Sequence, residues 1–287
     1  MIKLAIVSPC YNEEEVLEES TTRLTALFDD LVAKKKISAD SFVLFVNDGS
    51  KDRTWSIIKQ LHRTNPYIKG MNLARNVGHQ YAIMAGMMTA KDWSDAVITI
   101  DADLQDDVGV IEQFIDKFNE GKDVVYGVRS TRATDTVFKR STAHAFYKLM
   151  KFMGADTLQD HADYRLMSKR ALEGLAKYKE VNLFLRGMFP LVGFKSTSVY
   201  YERNERIAGE SHYPLKKMLA LAFDGITSLS IKPIRMITSF GFIVALVSFI
   251  FIIVSIIQKF VGITVTGWTS TIAVICFVSG VQLICMG

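Results

Sequence analysis

Residues 96–114 read AVITIDADLQDDVGVIEQF and pass from apolar to strongly acidic within a few positions. The opening VITI is short and β-branched, the signature of a buried strand, whereas residues 111–118 carry a helical pattern. Between strand and helix sit Asp101, Asp103, Asp106 and Asp107, whose like charges repel unless something positive lies among them. Asp101 and Asp103 are two apart in an extended segment, so their carboxylates point the same way. Such hard oxygen ligands suit Mg²⁺ or Mn²⁺, which keep bound waters and reach substrate phosphates through one or two carboxylates. A calcium loop is excluded. Asp101, Asp103, Gln105 and Glu112 fit its liganding positions, but Asp106 stands where the loop needs glycine, and a strand precedes it instead of a helix.

Outward from this stretch the same alternation repeats. Residues 4–7, 42–46, 68–73, 97–100 and 124–128 read as strands apolar on both faces. Helical patterns run over 54–62, 80–90 and 111–118, and Leu24, Leu27, Phe28 and Leu31 form one amphipathic stripe between the first two strands. This predicts an α/β fold with a doubly wound, mostly parallel sheet. Ligands of such sheets sit beyond the carboxyl ends of the strands. Polar clusters fall there: Tyr11 to Glu13, Asp48, Arg75 to His79, Asp101 to Asp107, and Arg129. Past Arg129 the pattern is helical over 139–153, then strand-like in ADYRLMS. Neither a G-x-G-x-x-G after a strand nor a phosphate-binding G-x-x-x-x-G-K-[ST] loop is present, which argues against dinucleotide and P-loop chemistry.

The carboxyl-terminal part differs in kind. Of 287 residues, 49% are apolar and 22% charged, and the excess gathers in two runs, about 237–257 and 264–286. The first, ITSFGFIVALVSFIFIIVSII, has no charge and is long enough to cross a hydrocarbon layer. Between 214 and 231, Leu215, Met218, Leu219, Ala222 and Ile226 share one helical face, suited to the bilayer surface or equally to packing on the soluble part. The expected domains are therefore 1–212, catalytic; 213–235, a juxtamembrane amphipathic helix; and 236–287, two transmembrane helices. Lys216, Lys217, Lys232 and Arg235 precede the first run and Lys259 alone lies in the link, placing the large domain in the cytoplasm of a multi-pass inner or plasma membrane protein. Three cysteines, Cys10, Cys276 and Cys285, offer neither a disulfide framework nor zinc spacing. A net charge of +4 is too diffuse for a nucleic-acid partner.

Six segments in order, VSPCYNEEE, FVNDGSKDRT, IDADLQDD, VVYGVRS, DYRLMSKRA and RIAGESHYPLKK, resemble the family 2 glycosyltransferases of GT-A fold that load a sugar onto a polyprenyl phosphate. The pattern is nearest to bactoprenol glucosyltransferases, with dolichol-phosphate mannose synthases as cousins. The resemblance spans essentially the whole chain. It implies an inverting, metal-dependent transfer, glucose from UDP-glucose, to undecaprenyl phosphate. GDP-mannose, UDP-GlcNAc or another UDP-sugar are alternative donors, and a non-catalytic nucleotide-sugar-binding scaffold is the alternative function. A processive synthase is disfavoured, since Q-x-x-R-W and further spans are missing.

By this resemblance Pro9, Tyr11, Glu13 and Asp48 hold the donor's base and ribose, Asp101 contacts the nucleotide, and Asp103 and Gln105 hold the metal. Arg75, with Asn76 and His79, lies beside the donor. Arg206 and His212 close over the diphosphate, His212 standing where the family more often has lysine. Asp163 occupies the place of the family's proposed base, or orients acceptor or sugar; a structural pairing with Arg165 is the plainer alternative. Arg129 and Arg140 clamp the acceptor phosphate with help from Ser141. Asp48 could equally serve only as a turn. The resemblance leaves a homo-oligomer open, and the stop at Gly287, without a basic tail, reads as a truncated form.

Overall fold

A computed structural model of the chain describes residues 1–130, 161–179, 185–202, 232–262 and 267–286. It divides into two compact units, the first holding a seven-stranded sheet and the second two long apolar helices. In chain order the first unit contains β1 (Leu4–Cys10), α1 (Leu17–Ala33), β2 (Phe42–Asn47), α2 (Thr54–Thr64), β3 (Ile68–Asn72), α3 (His79–Ala90), β4 (Ala96–Thr99), α4 (Ile111–Asn119), β5 (Val124–Arg129), β6 (His161–Ser168), α5 (Lys169–Leu175), α6 (Leu185–Leu191) and β7 (Ser196–Tyr201).

The strand order is β3-β2-β1-β4-β6-β5-β7. Neighbours run parallel except β6, which is antiparallel to both β4 and β5. Side-chain alternation explains why the sheet is covered twice. Leu4 and Ile6 of β1, with Val43 and Phe45 of β2, pack under α1, α2 and α4 through Leu24, Phe28, Ile58 and Phe114. The residues between them, Ala5, Val7, Leu44 and Val46, pack on the other face against Ala82, Ile83 and Met87 of α3 and Leu172 and Phe189 of α5 and α6. Each fully buried Leu or Phe contributes roughly 1.5–3 kcal/mol, so the α1 stripe alone anchors that helix.

The five expected strands and the helices expected around 24–31 and over 54–62, 80–90 and 111–118 are present within a few residues, while the helix expected over 139–153 lies outside the described residues. One strand goes beyond expectation: β7, whose STSVYY has no apolar run and buries only Val199 and Tyr201 on one face of the sheet edge. The direction of β6 decides the site. Because it runs against β4, with Thr99 opposite Arg165, its first residues lie beside the carboxyl end of β4.

In the second unit, α7 (Lys232–Val261) and α8 (Trp268–Met286) pack closely; a Cβ on Gly280 would stand 2.9 Å from the Ala245 Cα. Within α7, Ile234–Gln258 is long and apolar enough to cross a membrane, whereas the apolar stretch of α8, Ser270–Gln282, is shorter. Among the described residues there is thus one helix of crossing length where two were expected. The amphipathic helix expected over 213–235 lies outside the described residues up to 231, and from Lys232 the chain already belongs to α7.

Candidate active site

The acidic loop leaves β4 and turns sharply at Leu104, buried and held at φ 44°, where its N–H donates to the Asp101 carbonyl at 3.2 Å. A side chain in that left-handed region persists only when its surroundings over-determine it. Ser20 Oγ of α1 donates to the Ala102 carbonyl at 2.6 Å, and Gln105 N–H donates to Asp103 Oδ1 at 3.3 Å. Two of the four loop aspartates are satisfied within the fold. Asp106, 2% exposed, accepts from Arg129 Nη2 at 3.0 Å and Tyr201 Oη at 2.7 Å, and Asp107 caps the following turn through Gly109 N–H at 2.9 Å. The remaining two, Asp101 and Asp103, line a cleft.

Opposite them stands the start of β6. Asp163 Oδ1 accepts from Arg165 Nη2 at 2.8 Å, and its Oδ2 lies 3.6 Å from His79 Nε2. The same imidazole nitrogen lies 3.5 Å from Asp101 Oδ1, so His79, the first residue of α3, stands between carboxylates from two strands. Thr99 Oγ1 donates to the Asp163 carbonyl, locking the strand ends together. Arg165 is itself buried, its guanidinium 4.0 Å from the centre of the Phe189 ring. The Asp163–Arg165 pairing is therefore present, and it fixes the carboxylate at the rim instead of withdrawing it.

Burial pushes the Asp101 carboxyl up to about 6; the nearby Asp163, Asp106 and Asp103 charges act in the same direction and His79 opposes them. Its side chain keeps 39% exposure, yet Oδ1 is buried without a hydrogen-bond partner. A buried acceptor of this kind, beside Asp103, fits a hard divalent cation. No cage of three His, Cys, Asp or Glu side chains occurs among the described residues, so such an ion would share its shell with a ligand's phosphates. Gln105 is 3% exposed, and its Nε2 is buried without a hydrogen-bond partner.

The cleft measures about 420 Å³, within the range of small-ligand sites, and gathers Pro9, Tyr11, Glu13, Asp48, Asp101 and Asp103, joined by Asn76 and His79. Asp48 shapes its floor: its oxygens accept from Val77 N–H at 2.7 Å and Gly78 N–H at 2.9 Å, holding the turn that presents His79. Asp48, expected on base and ribose, thus lines the cleft while its oxygens also hold this turn. Arg75 is exposed and stands outside the lining residues. Arg129, expected on the acceptor phosphate, has Nε and Nη2 on Asp106 beneath the acidic loop. Arg140, Ser141, Arg206 and His212 lie outside the described residues. A second cavity, about 490 Å³ and lined by Lys3, Lys69, Lys169 and Trp93, opens at the opposite strand ends and holds none of the selected residues.

Residues 5–175 match the sequence model of Glycosyl transferase family 2. The chain belongs to that family. This glycosyltransferase is 53% identical over 284 residues to the uncharacterized glycosyltransferase YkoT of Bacillus subtilis, covering 99% of this chain and 84% of that protein. It is 38% identical over 288 residues to the bactoprenol glucosyl transferase of Shigella phage SfX, covering 100% and 92%. Among solved structures, glucosyl-3-phosphoglycerate synthase of Mycobacterium tuberculosis with Mn²⁺, UDP and glucosyl-3-phosphoglycerate matches at a TM-score of 0.52 and 15% identity, over 79% of this chain and 78% of that one. The glycosyltransferase therefore has a GT-A-like fold.

His79 is the residue whose importance the sequence understated, since only the turn fixed by Asp48 brings it between Asp101 and Asp163. For Tyr201 the available signal is the alternation of STSVYY, buried at Val199 and Tyr201, and Tyr164 follows Asp163 directly in β6.

Proposed function

We propose that this glycosyltransferase moves one sugar, glucose from UDP-glucose, onto undecaprenyl phosphate at the cytoplasmic face of the membrane, with inversion at the anomeric carbon. The observation that carries the reading is the meeting of Asp101, Asp103 and Asp163 around His79 at the carboxyl ends of the strands. The full-length likeness to bactoprenol glucosyl transferases supports the lipid acceptor. Mg²⁺ or Mn²⁺ held by Asp103, with Asp101 alongside and Gln105 behind, would supply Lewis-acid stabilisation of the charge that grows on the departing diphosphate.

The chain's own residues do the rest by position. Pro9, Tyr11, Glu13 and Asp48 form the wall that receives base and ribose, Asp48 also holding the turn at 77–78. Arg206 and His212 close over the diphosphate, while Arg140 and Ser141 take the acceptor phosphate. Arg129 acts near them or through Asp106. A phosphate monoester is already largely dianionic at neutral pH, its second pKa being about 6, so the acceptor needs aiming more than deprotonation. Asp163, held by Arg165 and flanked by His79, is placed to aim it. In this reading 1–212 form the catalytic domain, the stretch from 213 up to the start of α7 at Lys232 lies along the bilayer surface, and two helices cross the membrane.

The test is transfer of radiolabelled glucose from UDP-glucose into the lipid phase in membranes supplied with undecaprenyl phosphate. Label in the lipid phase, abolished by EDTA and restored by Mn²⁺, is the expected result. Transfer that persists in the chelator overturns the metal role, and transfer only from GDP-mannose or UDP-GlcNAc overturns the donor.

A further inference from the structure

The acidic loop is held from beneath by Arg129 and by two tyrosines to which no donor or acceptor contact is assigned. Asp106 Oδ1 takes three donors at once: Tyr201 Oη at 2.7 Å, Arg129 Nη2 at 3.0 Å and Arg129 Nε at 3.2 Å. One residue on, the Asp107 carbonyl accepts from Tyr164 Oη at 2.9 Å. The two tyrosines come from β6 and β7, and their rings meet edge to face at 5.4 Å. Tyr164 also packs on Phe114 of α4, with ring centres 4.7 Å apart. The space for both rings exists because position 127 is glycine; a Cβ there would stand 2.9 Å from Tyr164 Cδ1 and 3.1 Å from Tyr201 Cε1.

These contacts do more than fill a core. A buried carboxylate with three donors is satisfied and therefore fixed in place, and a charged hydrogen bond is about twice as strong as a neutral one. Burial, followed by the charge of Asp106, pushes the Tyr201 phenol far above its usual range, so it stays a donor. Gln105, Asp103 and the strained Leu104 immediately precede the clamped pair. Any slack at Asp106 therefore passes to the carboxylates that face the cleft.

We propose that Tyr201, with Tyr164, is a positioning residue that sets the geometry of the Asp101–Gln105 loop for divalent metal by holding Asp106 and Asp107 from below. This inference rests on the metal-dependent reading above. It assigns the β7 tyrosine an effect on metal binding, not on the nucleotide's base.

The test uses the full chain in detergent, titrating Mn²⁺ calorimetrically in the presence of UDP and measuring UDP binding separately without metal. Tyr201→Phe removes one hydroxyl from a ring that otherwise stays packed. The expected result is an apparent Mn²⁺ Kd raised about tenfold, metal-free UDP affinity changed less than twofold, and a retained cooperative melt. Tyr200→Phe, on the next residue and 70% exposed, serves as the control and leaves both affinities unchanged. A Mn²⁺ requirement in Tyr201→Phe within twofold of wild type, or an equal loss of metal-free UDP affinity, overturns the proposal. Should Tyr201→Phe fail to fold, Tyr164→Phe decides by the same readout, with about a threefold rise expected and no rise overturning it. If the wild-type chain binds no Mn²⁺ with UDP, the proposed function falls and this inference with it. Normal wild-type binding beside an unchanged variant overturns this inference alone.

Discussion

At the scale of the residue, the site is a set of carboxylates divided by what each already holds. Asp106 and Asp107 are satisfied from within the fold, while Asp101 keeps a buried oxygen without a hydrogen bond. An ordinary aspartate titrates near 3.9 and this one near 6, so the folded state binds the extra proton between those values. Stability from this group is present below about pH 4 and is lost as pH rises through about 6. Asp101→Asn should therefore raise the melting temperature of the ligand-free protein at pH 8 by a few degrees, by less near pH 4.5, and give almost no gain near pH 3. With 39% exposure, solvent screens part of the cost and keeps the gain small. A larger gain at the lower pH would reverse the assigned sign. Asp103 and Asp163 should separate by role. Asp103→Ala should weaken Mn²⁺-dependent UDP binding at least tenfold. Asp163→Asn should leave that binding within about twofold while slowing transfer about 100-fold, as expected for a lost aiming group. Asparagine is the better probe at 163, because alanine would strip a partner from the buried Arg165. Equal loss of UDP binding in both variants would show the roles wrongly divided.

At the scale of the element, the site depends on two turns and one strand direction. Gly49 sits at φ 66°, and a Cβ there would meet Asn76 N at 2.4 Å, backbone against backbone. Gly49→Ala should therefore cost more than about 3 kcal/mol and loosen the 75–79 turn that carries His79. Gly121, at φ 84° with nothing within 4 Å, should lose only about 1 kcal/mol on the same change. Thermal melts of the two variants check the contrast, and similar losses would mean that φ alone, and not contact, governs both sites. The central strands were legible because burial on both faces writes an unbroken apolar run, as in LAIV and FVLFV. The α1 stripe was legible for the matching reason on a helix. The direction of β6 was not, since a strand's alternation is the same read either way, and only pairing with β4 reveals that Asp163 lies at the rim. The β7 edge was missed because half of it faces outward and is polar. So Asp101 and Asp103, at the end of a legible strand, could be chosen from local pattern alone. The engagement of Arg129 with Asp106 could not, because it depends on a strand pairing no local pattern encodes.

At the scale of the whole molecule, the second unit poses the problem that a hydrophobic surface poses anywhere in water. Along α7, Phe240, Phe242, Ile243, Leu246, Val247, Phe249 and Ile250 are all exposed, a continuous face with no polar counterpart. A soluble protein rarely tolerates such a patch, whereas in hydrocarbon it costs nothing. Ile234–Gln258, 25 residues at about 1.5 Å each, reaches about 37 Å, enough for a core of about 30 Å with some tilt. The close approach at Gly280 and Ala245 is what helices need when van der Waals contact alone must hold them. Attachment by such a helix and attachment by basic residues respond differently to solvent. Charge attraction to anionic lipid is screened over about 10 Å at 0.1 M salt and less at 1 M, while buried apolar area is not. In fractionated cells the chain should therefore stay in the membrane pellet through 1 M NaCl and through alkaline carbonate, and leave it only with detergent. Leu246→Arg, a charge set near the middle of the apolar face, should cost about 2.5–3.5 kcal/mol of insertion and shift a measurable fraction to the carbonate supernatant. Release of the unmodified chain by salt alone would show that its basic residues, and not α7, hold it at the membrane.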